Sequence, residues 1–180
     1  MGTNWTLVIL ALSMGCMPPG EPTDPGTNSV SKVKGAVLPL STSGGLMNSC
    51  TRRDPDAVGD LWLPTADVVD QFERALPAFV DKNRPCFQSD APSNLTTHAR
   101  QYAGFMRGKT RILYVNFLKV EEVETSFKDS WEMEPVGYCD GGWQNFGVEF
   151  DVEAGRILRV EFDADYSGSS GKCESIPPAA

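Results

Sequence analysis

The residues best placed to do chemistry in this chain lie near its C-terminus. Asp163, Asp165 and Ser167 alternate, Gly168 follows, and Glu174 comes last. This is the spacing of a calcium loop, with oxygen ligands at positions 1, 3, 5 and 12 and a glycine at the sharp turn of position 6. The competing reading is an Asp-rich strand end that runs into a Ser-Gly loop. A second candidate is the pair Glu149 and Glu161 on the two arms of the last hairpin. Two carboxylates can share general acid–base work if one is desolvated. Arg156 and Arg159 beside them point instead to cross-strand ion pairs on a solvated face. His98, the single histidine, stands in the polar stretch Thr96-Thr97-His98-Ala99-Arg100, where a surface or loop histidine is expected. No nucleophile elbow, phosphate loop, dinucleotide fingerprint or H-E-x-x-H helix accompanies it.

Cysteine is the next reactive type. Of five, Cys16 stands apart at the end of an apolar segment, which leaves Cys50, Cys86, Cys139 and Cys173. Four cysteines in an exported domain predict two disulfides with three possible connectivities, buried free thiols being the alternative. They stand too far apart in sequence for a zinc knuckle. Asp140-Gly141-Gly142-Trp143 reads as a tight glycine turn that holds Trp143, with Asp140 beside it, at a loop tip. Trp is a favoured interface anchor; the alternative is a ring folded back onto the core, and Trp131 poses the same choice.

These groups need elements to position them. Trp62-Leu63-Pro64-Thr65 predicts a helix start, with Thr65 as cap, Asp67 complementing the helix dipole and Leu63 packing back. Val68, Val69, Phe72, Leu76, Phe79 and Val80 then keep to one face at helical spacing, ending near Asn83-Arg84-Pro85. Pro77 removes a backbone bond inside that run and predicts a kink. Residues 87–97 read as a polar loop. Tyr102 to Arg107 and Thr110 to Lys119 flank Gly108-Lys109, a hairpin signal. Glu121 to Glu134 reads as an acidic connection and Pro135 to Cys139 as a short strand. Phe146, Val148 and Phe150, then Leu158, Val160 and Phe162, alternate with polar residues and predict a hairpin with one wet face.

The N-terminal end speaks to location. Leu7-Val8-Ile9-Leu10-Ala11-Leu12 is apolar but far shorter than the roughly 20 residues that span a bilayer. A short apolar run before small residues reads as an export signal. With Ser13-Met14-Gly15-Cys16 closing it, the segment resembles a bacterial lipoprotein signal. The resemblance implies cleavage before Cys16, a lipid on its sulfur, and a mature protein anchored in the periplasm or at the cell surface. A plain secretion signal is the alternative. Residues 1–15 are thus expected to be signal peptide and residues 16–49, rich in Pro, Gly, Ser and Thr, a flexible tether. Within that tether Val30 to Leu40 is a candidate for a short strand or docking segment. Lys plus Arg total 16 against 24 for Asp plus Glu, a net charge of −8. That balance argues against nucleic acid, whose affinity comes from cations on phosphates. It also argues against adsorption to anionic headgroups, so membrane attachment would come from lipid on Cys16.

Residues 50–176 are expected to form one α+β domain, a long N-terminal helix packed on a four- to five-stranded antiparallel meander. The outline is similar to cystatin-like folds. Trp62-Leu63-Pro64-Thr65, Leu76-Pro77-Ala78-Phe79, Arg100-Gln101-Tyr102-Ala103-Gly104, Cys139-Asp140-Gly141-Gly142 and Phe146-Gly147-Val148-Glu149-Phe150-Asp151 resemble a group of uncharacterised exported bacterial proteins. That resemblance implies a fold unit and no activity. The expected function is a non-catalytic, lipid-anchored envelope protein, binding or inhibitor-like, that recognises an envelope protein or glycan. An envelope hydrolase working through a carboxylate pair is the alternative from a different class. A calcium-dependent binding module is the third, calcium being the one cofactor the residues suggest.

Overall fold

Two ten-residue strands joined at Gly108-Lys109 form the spine of the sheet. The computed structural model describes residues 35–48, 52, 54–84, 95–139, 141–163 and 172–174. In chain order the elements are β1 (Gly35–Val37), α1 (Leu40–Ser43), β2 (Leu61–Trp62), α2 (Ala66–Lys82), β3 (His98–Arg107), β4 (Thr110–Lys119), α3 (Val120–Ser126), β5 (Phe146–Asp151), β6 (Arg156–Phe162) and β7 (Lys172–Glu174). The predicted hairpin is β3 and β4, in register from Arg107↔Thr110 to His98↔Lys119. Strands β5, β6 and β7 add antiparallel beyond β4. On its other side β3 carries two short strands end to end. Strand β1 lies parallel to Arg100–Tyr102, and β2 lies antiparallel at Gly104–Phe105.

The architecture is α+β, but the sheet has seven strands and is mixed. The antiparallel meander expected from the sequence covers β3 to β6. A parallel pair needs a long crossover connection, and here that connection contains α1, β2 and α2. Neither local turns nor alternation announces such a pairing. The main helix is consequently not the first element. The tether reading also fails for residues 35–48, which supply β1, α1 and the buried Leu38, Leu46 and Met47.

Helix α2 forms where the apolar spacing places it. Thr65 is extended and its carbonyl accepts from Val68 and Val69, although its hydroxyl makes no capping bond. At the far end Asn83 closes the helix, its backbone N–H and side-chain amide both donating to Phe79. Pro77 sits inside one continuous helix. Val68, Phe72 and Leu76 are buried on Tyr102, Leu113, Val115, Phe117, Phe146, Val148, Phe150, Val160 and Phe162. Phe72 meets the rings of Tyr102, Phe117 and Phe150 edge-on.

The opposite sheet face, predicted to be wet along the last hairpin, is covered. Leu38, Leu46 and Met47 lie on Ala103, Phe105, Ile112 and Tyr114. Val123 of α3, Trp131 and Val136 lie on Ala99 and Leu118. The domain is therefore three layers deep: α2, the sheet, and a layer of short helices and irregular chain. The acidic connection holds α3, because Val123 and Trp131 have a sheet face to bury. Residues 135–139 are not a strand. A register shift between Glu149 and Phe150 overturns the simple alternation of β6. Ile157 pairs with Phe150 on the helix side, and Leu158 joins the opposite cluster. Such a bulge inserts one residue and reverses the facing of those beyond it. Among the described residues no helix is long and apolar enough to cross a membrane.

Candidate functional site

The face away from α2 carries a band of buried polar side chains. Gln101 and Asn116 face each other across β3 and β4. The Gln101 amide donates to the carbonyls of Trp131 and Glu134, and its Oε1 accepts from the Val136 N–H. The Asn116 amide donates to Gln101 Oε1 and to the Val136 carbonyl. These two residues satisfy the backbone of a segment that has no ladder of its own, as buried peptide groups require. Arg52 enters the same band from the N-terminal side. It donates to Asn116 Oδ1 at 2.8 Å and Tyr114 Oη at 3.3 Å, and its Nε lies 2.6 Å from Asp163 Oδ1. Its guanidinium occupies the space over Gly147, where a Cβ would lie 2.8 Å from Nη1 and 2.3 Å from Tyr114 Oη.

The carboxylate pair singled out in the sequence lies at one end of this band. Glu149 is buried between Arg107, at 2.7 Å, and Arg159. Arg159 also faces Glu161 at 3.3 Å. The expected ion pairs form, but on a covered surface. A carboxylate that accepts from two guanidiniums is held in place, which is a structural use of the group.

On the helix side, Glu73 Oε1 accepts from Tyr102 Oη at 2.8 Å and faces Arg100 Nε at 2.9 Å. Burial raises the Glu73 carboxyl above its ordinary pKa, against the pull of Arg100 and the Tyr102 bond. Burial also lowers Arg100 and raises the Tyr102 phenol. His98 is not a surface histidine but a buried strand residue. Its Nε2 donates to the Gln144 carbonyl at 2.9 Å, which leaves Nδ1 to accept from the Thr97 hydroxyl at 3.2 Å. Burial brings its pKa down to about 4, with Arg100 and Lys119 adding to the effect and the Gln144 bond opposing it. It is a neutral anchor for the chain at Gln144.

That anchor is part of the best-built feature, the base of the loop at residues 141–145. The Asn145 Oδ1 accepts from the Lys119 N–H, its amide donates to Glu122, and its carbonyl accepts from the Asp163 N–H. Gly141 packs so closely that a Cβ would lie 2.5 Å from Asn145 Nδ2 and 2.8 Å from Asp163 Oδ2. Gly142 has φ +59°, which favours glycine. Both glycines of the predicted turn are thus required by geometry. Cys139 precedes the loop and is disulfide-bonded. A single 3₁₀ turn, Gly142–Gln144, carries Trp143.

The other predicted site residues fall as follows. Cys16, Cys50, Cys86, Asp140, Asp165 and Ser167 lie outside the described residues. Cys173 and Glu174 are in β7, paired with Val160 and Arg159. Asp163, the first position of the calcium spacing, is buried against Arg52, so a metal there would have to displace a guanidinium. Among the described residues no group of three or more His, Cys, Asp or Glu is placed to hold a metal. Trp131 is buried, which resolves its alternative in favour of the core. Sequence reasoning missed Arg52, Gln101 and Asn116. The visible signal was two amides on one face of otherwise apolar strands; Arg52 carried none. Comparison with protein families, with curated proteins and with solved structures gives no match.

Proposed function

We propose that this chain is an exported, lipid-anchored binding module that presents residues 140–143 to an envelope protein or glycan. The observation that carries the reading is the construction of the loop base. Disulfide-bonded Cys139 precedes the loop, and on its other side Gln144 and Asn145 are tied to His98, Lys119 and Asp163. A recognition residue gains affinity when its backbone is ordered before the ligand arrives, because less entropy is lost on binding. Trp143, at the centre of that loop, is the anchor in this reading and Asp140 its polar neighbour. A disulfide at Cys139 also supports an oxidising compartment. The lipid on Cys16 and the pairing of Cys50, Cys86 and Cys173 belong to the same proposal.

The test compares the full chain with Trp143→Ala and Asp140→Ala in two assays. One is co-sedimentation with purified cell-wall sacculi, the other capture from detergent-solubilised envelope with mass-spectrometric identification. The reading expects one assay to lose at least about tenfold in Trp143→Ala, the scale of an interface anchor. Binding indifferent to Trp143 and Asp140 in both would overturn it. Expressed in the host, Cys16→Ser should leave the membrane fraction; if it stays there at unchanged mass, the anchor is elsewhere.

A further inference from the structure

We infer that Arg52 is a positioning residue for the 141–145 loop, so that the loop keeps its shape only while the N-terminal strap is docked on the sheet. The biological meaning of this coupling rests on the loop being the recognition element; the coupling itself is measured on the loop alone. The strap is residues 35–48 with Arg52 beyond them. It is held by β1 on β3 and by Leu38, Leu46 and Met47 in the core. Arg52 reaches past Tyr114 and Asn116 to Asp163, and both members of the ion pair are almost wholly buried, with side chains 3% and 0% exposed.

Asp163 is where strap and loop meet. Its Oδ1 faces Arg52, its Oδ2 lies against Gly141, and its backbone N–H donates to the Asn145 carbonyl. Asn145 in turn holds the end of β4 through Lys119 and the start of α3 through Glu122. A buried carboxylate that loses a guanidinium partner cannot stay where it is at low cost. It takes up a proton or draws in water. Either response acts on the atoms that Gly141 and Asn145 rest on. Lifting the strap therefore removes a charge from under the loop as well as apolar cover from the sheet. Among the described residues the strap is the part nearest in sequence to Cys16, so docking of the strap is communicated to the loop through the Arg52–Asp163 pair.

The experiment is peptide-resolved amide hydrogen exchange on the full chain, comparing residues 141–145 with β3 and β4. Arg52→Met keeps the length and removes the charge. It should raise exchange in 141–145 about tenfold or more, and change β3 and β4 by distinctly less, as for a local opening. Arg52→Met with Asp163→Asn removes both charges and should restore most of the loop's protection. Arg52→Lys, which keeps the charge and so guards against a failure to fold, should show a smaller increase. Met47→Asp undocks the strap with Arg52 intact and should reproduce the Arg52→Met pattern. Equal change in loop and core, no change in the loop, or no recovery in the double variant would each overturn the coupling. If the loop responds but partner capture ignores Trp143, the coupling holds and the recognition role falls.

Discussion

The two faces of the sheet are sealed by different physics. Under α2 the contact is mostly hydrocarbon, built around Phe72 and its three edge-on rings, with the Glu73–Arg100 pair set into it. On the other face short irregular segments must be held, and they bring unpaired backbone groups with them. Gln101 and Asn116 supply the missing partners, and Arg52 and Glu149 are held in the same band by other side chains. An apolar contact is non-directional and tolerates repacking. A buried polar contact is directional and costs free energy when half of it is removed. The helix face should therefore set global stability, and the strap face should set the order of particular segments.

The largest effect expected is on the helix face. Phe72→Ala should cost about 3–5 kcal/mol, because it removes a fully buried ring at the meeting point of helix and sheet. A shift of the urea midpoint, with an unchanged slope, is the check. A loss under about 1 kcal/mol would mean that α2 is not what holds the sheet.

Next comes the acid limb. His98 is neutral in the fold with a pKa of about 4, against about 6.5 for an unfolded histidine. Between those values the unfolded chain binds more protons, so stability falls as pH drops through the window and is fully retained above it. The loss contributed by this group is on the order of 3 kcal/mol by pH 4. His98→Gln should flatten that part of the pH profile. Because the chain has a single histidine, its NMR titration reports the group directly. A titration midpoint near 6.5 in the folded protein would contradict the burial described.

On the strap face, Gly147→Ala should cost about 1–3 kcal/mol, since its methyl would overlap Tyr114 Oη and the Arg52 guanidinium. The sharper reading is spatial: hydrogen exchange should rise in the strap before it rises in α2. At the small end is the exposed Arg111–Glu153 pair at 2.7 Å, with both side chains about half exposed. The Arg111 bond lowers the Glu153 pKa, but solvent screens such a pair. Glu153→Gln should change stability by no more than about 0.5 kcal/mol, and a larger effect would show that surface charge matters more than either face.

Legibility followed the same division. The periodicity of Val68, Phe72 and Leu76 located α2, and Gly108-Lys109 located the turn between β3 and β4, because both signals are local. The β6 alternation misled by one position, since a bulge depends on the partner strand and leaves little trace in composition. Glu149 and Glu161 read as solvated because charge ordinarily means exposure. Glu149 is buried instead, and one of its partners, Arg107, comes from a strand that no window around it contains. The candidate site was legible in part. The Gly-Gly turn before Trp143 stood out, whereas its support by His98, Lys119 and Asp163 joins four separate stretches of chain.

By itself the sequence determined the acidic net charge and the elements whose causes are short-range: an amphipathic helix, a glycine turn and alternating strands. Tertiary structure alone decided that residues 35–48 belong to the fold, that β1 runs parallel to β3, and that Arg52 meets Asp163. The reason is physical. Burial and ion pairing are properties of which distant segments come together, and a residue's own neighbours in sequence do not record them.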